Sequence, residues 1–136
     1  MTKRIFLIGH PVGHSISPAF QQAALDYYAL DMRYEAMDVD APSLSRAVAT
    51  LRDPDVMGAN VTVPHKEAVV AHLDELKEEA RLIGAVNTVE NREGSLVGHN
   101  TDAQGFLRSL KEKADFDPQG KTALVLGAGG LPGRWS

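Results

Sequence analysis

The chain has no cysteine. Disulfides and thiolate metal sites are therefore excluded, and a reducing compartment is the natural setting. Grouped cations are also missing. Lysine and arginine number 14 against 18 aspartates and glutamates, for a formal net charge of −4. A nucleic-acid surface needs clustered cations to neutralise phosphates, so none is expected. No apolar run approaches the roughly 20 residues of a membrane span. The start MTKRIFLIGHPVGHS is basic and then apolar, but its apolar stretch Ile5 to Ile8 is short, and Gly9, His10 and Pro11 interrupt it. It does not read as a secretory signal, which makes a cytoplasmic protein the expectation and discounts the sequon Asn60-Val61-Thr62. His10 and His14 straddle Pro11 and Gly13 with no acidic residue beside them, so no metal site is expected. Repeats and low-complexity segments are absent too. What is present is one ordinary domain's length, 136 residues, with 43% apolar side chains to fill a core.

The apolar pattern alternates between strand and helix periods. Ile5 to Ile8 is a continuous run ended by Gly9, as in a strand covered on both faces. Ser17-Pro18 predicts a helix start, Ser at the cap and Pro at the first turn, with Phe20, Ala23, Ala24 and Tyr27 following at helical spacing. Tyr34 to Val39 predicts a second strand, Leu44, Ala47, Val48 and Leu51 a second helix, and Val56 to Val61 a third strand. Ala68 to Leu73 and Leu76 to Ile83 carry helical stripes, and Gly84 supplies a stop. Thr88-Val89 and Leu96-Val97 flank a hairpin turn at Arg92-Glu93-Gly94, and Phe106, Leu107 and Leu110 mark a helix after Asp102. Ala123 to Leu126 predicts a last buried strand entering Gly127-Ala128-Gly129-Gly130.

This order implies an α/β fold, a mainly parallel sheet with helices on both faces, plus the first strand of a dinucleotide-binding fold. The expected division is a domain over 1–104, a connecting helix and linker over 105–120, and the start of a second domain over 121–136. A lone strand can neither bury both faces nor build a crossover. The expectation is therefore a second domain cut short, in a chain that shows no cofactor-dependent turnover by itself.

Four segments carry the chemistry: His14-Ser15-Ile16-Ser17-Pro18, Asn60-Val61-Thr62-Val63-Pro64-His65-Lys66, Ile83-Gly84-Ala85-Val86-Asn87-Thr88 and Gly98-His99-Asn100-Thr101-Asp102. Each sits at a predicted strand end or helix start, the edge where parallel α/β sheets bind ligands. Uncharged donors and acceptors dominate, joined by one lysine and one aspartate. Such a set suits a small polyhydroxylated molecule.

In order and spacing these segments resemble the HSxSP, NVTxPxK, AVNT and GxNTDxxG motifs of the shikimate dehydrogenase family, over about Ile5 to Gly130. The resemblance implies a three-layer substrate domain followed by a Rossmann domain, and reduction of 3-dehydroshikimate to shikimate with NADPH. It implies Lys66 and Asp102 as the catalytic pair and Ser15, Ser17, Asn60, Thr62 and Asn87 as substrate contacts, with the two serines on the carboxylate. Gly127, Ala128, Gly129 and Gly130 resemble the family's cofactor turn, and a homodimer is the implied assembly of the longer protein. A lysine can deliver a proton to oxygen as hydride reaches carbon, and a carboxylate beside it can orient it or the substrate.

Plainer roles stand beside these. Ser17 can simply cap its helix, Ser15 close a turn, Lys66 lie in solvent and Asp102 cap the helix that follows. The sequence departs from the family at Gln21-Gln22, and again at Pro132, which occupies the third position of the glycine fingerprint. Arg134 is about one residue out of register with the family's arginine near that turn. Two further readings stay open: a stand-alone domain that binds shikimate-like acids without turnover, and a quinate/shikimate dehydrogenase.

Overall fold

The computed structural model describes residues 2–122 and 124. Lys3–Gly9 forms β1, Ser17–Tyr27 α1, Met32–Asp38 β2, Leu44–Thr50 α2 and Val56–Val61 β3. Glu75–Leu76 forms β4, Glu78–Ile83 α3, Thr88–Arg92 β5, Ser95–His99 β6 and Asp102–Lys113 α4. The six strands make one sheet in the order β2-β1-β3-β5-β6-β4. β1 pairs in parallel with β2 and β3, and β4 with β6, while β5 is antiparallel to both β3 and β6. Five strands thus share one direction and β5 alone opposes them. The expected α/β fold with a mainly parallel sheet is the one observed.

β1 is buried on both faces, as its apolar run requires. Phe6 and Ile8 join the large cluster containing Leu44 and Val48 of α2, Leu51 just after it, Val61 of β3 and Val89 of β5. Leu7 turns to the other face, against Val12, Tyr34 and the partly buried Ile5 and Leu25 of α1. Helices therefore cover both faces, α2 and α3 on one and α1 on the other. α1 is tied to the outer strand by Gln22, whose Oε1 accepts from the Tyr34 N–H at 2.8 Å and whose Nε2 donates to the Met32 carbonyl at 3.1 Å. The glutamine at this departure from the family pattern thus holds the sheet's edge.

Two expected helices differ. Residues 68–72 form a 3₁₀ helix, and Leu76 lies in β4 rather than in a helix starting there. Glu75 and Leu76 pair with Val97 and Gly98 of β6, so the ladder takes the residues that the apolar stripe assigned to a helix. Leu73 and Leu76 then close over Gly98. Gly84 ends α3 as anticipated, in the left-handed conformation at φ 79°, with its N–H on the Ala80 carbonyl. The hairpin turn places Glu93 and Gly94 at φ 53° and 93°, the positive angles of a two-residue primed turn. Apart from Leu124, the strand expected over 123–126 lies outside the described residues, as do Gly127, Ala128, Gly129 and Gly130.

Candidate active site

The loops after β1 and β3 and the start of α4 meet at one edge of the sheet, joined by backbone hydrogen bonds. The Thr62 N–H reaches the Ile8 carbonyl at 2.9 Å, and the Val86 N–H reaches the Lys66 carbonyl at 2.8 Å. The Asn87 N–H bonds the His99 carbonyl at 3.1 Å. β1 and the Thr62 loop approach so closely that a Cβ on Gly9 would stand 2.5 Å from the Thr62 methyl and 2.7 Å from Val12. Glycine is the residue this approach admits.

Two buried polar side chains brace the edge. His65, 1% exposed, places its Nε2 on the Val39 carbonyl at the end of β2, and its N–H on the Thr62 carbonyl at 3.0 Å. This anchors the turn that carries Lys66. Asn100, 2% exposed, donates from Nδ2 to the Ala85 carbonyl at 3.0 Å and accepts the Asp102 N–H on Oδ1 at 3.0 Å. A buried polar group left unpaired costs about 1–3 kcal/mol, so these contacts hold the two loops at fixed spacing. Neither residue was singled out from the sequence. Both lie inside the motifs, beside the residues that were, and a search for what satisfies the turns' backbone groups could have found them.

On this frame Lys66 Nζ donates to Asp102 Oδ2 at 2.7 Å, the two side chains being 13% and 29% exposed. Asn87 Nδ2 donates to the other carboxylate oxygen at 2.9 Å and to Thr101 Oγ1 at 2.8 Å, while Asn87 Oδ1 accepts the Thr101 N–H at 3.0 Å. Asn60 approaches from β3, its Nδ2 3.3 Å from Thr88 Oγ1 and 3.5 Å from the Asn87 carbonyl. The Thr88 hydroxyl donates to Asn87 Oδ1 at 3.0 Å. Lys66, Asp102, Asn87 and Asn60 thus form one hydrogen-bonded group, with an ammonium and a carboxylate partly open to solvent. The surface beside it is a shallow depression lined by Val63, Pro64, Lys66 and Glu67. Lys66 therefore does not stand alone in solvent. Asp102 does not cap α4 with its side chain either: the cap position is Thr101, whose side chain makes no cap hydrogen bond.

The serines stand apart from that network. Ser15 is exposed, and its Oγ accepts the Ser17 N–H at 3.1 Å, closing the turn before α1. The cap position of α1 is Ile16, not Ser17, and it makes no side-chain cap. The local turn formed by Ser15 displaces the cap expected from Ser17-Pro18, which lies one residue into the helix. Nearby, His10 does have an acidic partner, supplied by another strand: its Nδ1 lies 2.5 Å from Asp38 Oδ1 at the end of β2. That contact, with Asp40 close by, raises the His10 pKa above 6.5.

Residues 7–89 match the shikimate dehydrogenase substrate binding domain. The chain belongs to this family. It is 50% identical to the NADP(+) shikimate dehydrogenase of Methanopyrus kandleri over 129 residues, which is 95% of this chain and 44% of the relative. The chain thus spans under half the length of the curated relatives it matches. Among solved structures, the Thermus thermophilus shikimate 5-dehydrogenase in complex with shikimate superposes with a TM-score of 0.86 at 46% identity, covering 96% of this chain and 49% of that one. The ligand-free 5-ketofructose reductase of a Gluconobacter strain superposes with a TM-score of 0.85 at 42% identity, covering 97% and 47%. As a member of this family, the chain carries four motif segments that fall where the sheet's strand ends meet, within a fold shared with both structures. Among the described residues no helix is long and apolar enough to cross a membrane.

Proposed function

We propose that this chain is the substrate-holding part of an NADP-dependent shikimate dehydrogenase, which reversibly reduces 3-dehydroshikimate to shikimate in aromatic amino-acid biosynthesis. The observation that carries this reading is the convergence of Lys66, Asp102, Asn87 and Asn60 at the ligand-binding edge of the sheet. Carbonyl reduction needs a proton on oxygen as hydride arrives at carbon. Lys66 Nζ has three donor hydrogens, and Asp102 occupies one. A second is free to point at a substrate oxygen and to surrender its proton there, and in the oxidation direction Lys66 or Asp102 takes the proton back. Asn60 and Thr62 offer donors and acceptors for ring hydroxyls, while Asn87, whose amide bonds are taken by Thr101, Thr88 and Asp102, would exchange one of them to contact the ring. Ser15 and Ser17 present hydroxyls to the carboxylate at the start of α1.

The cofactor, which as NADPH would supply the hydride and as NADP+ would take it back, is assigned to the turn Gly127-Ala128-Gly129-Gly130. Glycine-rich turns of this kind suit a pyrophosphate, because they let the backbone approach it. The corresponding division is a substrate domain over 1–104, a connector over 105–120 and a cofactor segment over 121–136. A second reading draws on the likeness to 5-ketofructose reductase, in which the same frame would serve a polyhydroxy ketone without a carboxylate.

Calorimetry on this chain separates the two. Shikimate should bind with a heat that Ser15→Ala diminishes, and 5-ketofructose should give little. Equal heats for the two ligands would remove the serine–carboxylate assignment and favour the ketone.

A further inference from the structure

The geometry points to Tyr34 as a positioning residue: its hydroxyl sets the orientation of the Asn60 side-chain amide at the ligand edge. This rests on the reading of Asn60 as a substrate contact. Tyr34 is 7% exposed on β2, two strands from Asn60 in the sheet order, and its hydroxyl donates to Asn60 Oδ1 at 2.9 Å.

The two site asparagines differ in how firmly they are held. Asn87 is overdetermined. The Thr101 N–H, which can only donate, requires Oδ1 on its side, and the Asp102 carboxylate requires Nδ2 on the other. Asn60 has no such pair of short bonds. Its Nδ2 contacts measure 3.3 and 3.5 Å, at the long end of hydrogen bonding, so the 2.9 Å bond from Tyr34 is the shortest hold on its amide. Burial pushes the Tyr34 pKa up to about 12, which keeps the phenol a donor across the physiological range. In this arrangement the phenol directs its proton to the amide oxygen, and Nδ2 faces Thr88 and the Asn87 carbonyl, which can only accept. Without the hydroxyl, only the two long Nδ2 contacts would hold Asn60, and its amide would turn over more readily and present the wrong atom to a ligand.

The test uses Tyr34→Phe, which keeps the ring and removes the donor, together with Asn60→Ala and the double variant. Two readings are taken: shikimate affinity, and the side-chain amide NMR signals of the ligand-free chain. One neutral hydrogen bond corresponds to a weakening of about two- to ten-fold, expected for Tyr34→Phe in the wild-type background. In the Asn60→Ala background Tyr34→Phe should change affinity no further. The Asn60 amide signals should shift or broaden in Tyr34→Phe while those of Asn87 stay in place. Additive losses in the double variant, or an unmoved Asn60 amide, would each overturn the proposal. Absence of shikimate binding by the wild-type chain would instead count against the function proposed above, and the amide signals would still decide the role of Tyr34.

Discussion

The two halves of the candidate site are built to opposite specifications. Around Lys66, side chains from β3, the loop before β5 and the start of α4 bond one another, with His65 and Asn100 buried behind them as struts. Around Ser15, the hydrogen bonds stay within the turn, with Ser15 exposed and Ser17 half-buried. The contrast follows the demands placed on each half. A proton must be delivered to one atom at one moment, and a displacement of about 1 Å can cost on the order of a hundred-fold in rate. A carboxylate that only anchors the ligand carries the same charge before and after reaction, so its partners can adapt. Rigidity is found where the proposed chemistry is, and latitude where the proposed anchor is.

The sharpest way to break this comparison is at Lys66. In a form of the protein that turns over with NADP, Lys66→Ala should lower the maximal rate by about 10²–10⁴-fold, the usual worth of acid–base assistance, and change the Michaelis constant far less. Steady-state kinetics in both directions would show it. A variant that keeps its rate and loses only affinity would make the braced half a binding device and erase the contrast.

Next in size is Ser15→Ala. A hydrogen bond to a charged group is worth roughly 1.5–3 kcal/mol. An exposed position puts the expected loss at the lower limit, about ten-fold in shikimate affinity with the rate preserved. Titration of the variant with shikimate measures it, and a fall in rate equal to that of Lys66→Ala would show the two halves acting as one unit.

The smallest effect concerns the His10–Asp38 pair that joins the ends of β1 and β2. Hydrogen bonding to Asp38 raises the pKa of His10 in the folded chain, so the protonated imidazole favours the folded state. Its contribution is complete below the unfolded-state value of about 6.5 and is lost as pH rises through the raised folded value. Thermal midpoints of the wild-type chain and His10→Gln should therefore differ most near pH 5.5 and converge in alkaline solution. A constant gap would assign the difference to packing. Because both groups are half exposed, the change is expected to be slight.

Much of the fold was legible because its signals are local. The apolar run Ile5 to Ile8, the stripe Leu44, Ala47, Val48 and Leu51, and the stop at Gly84 each record a period or a backbone requirement within a few residues. Leu76 was misread for the converse reason. Its helical spacing with Ile83 is genuine in the sequence, yet pairing with Gly98 of β6, some twenty residues on, assigns it to a strand. Ser17 shows the same override at short range, since the Ser15 side chain reaches the N–H of residue 17 first.

At the site, the sequence alone determined which chemistry is available: an ammonium, a carboxylate, amides and hydroxyls, in four segments recognisable as a family's motifs. Those segments are contiguous in the chain, and their residue types declare themselves. Which of these groups meet was decided only by the tertiary structure. Lys66 and Asp102 lie 36 residues apart and Tyr34 and Asn60 26 apart, and nothing in the local sequence states that their side chains bond. The strand order β2-β1-β3-β5-β6 carries Tyr34 toward Asn60 and sets Asn87 between Lys66 and α4. A hydrogen bond is a relation between two atoms in space, and the fold supplies the second atom.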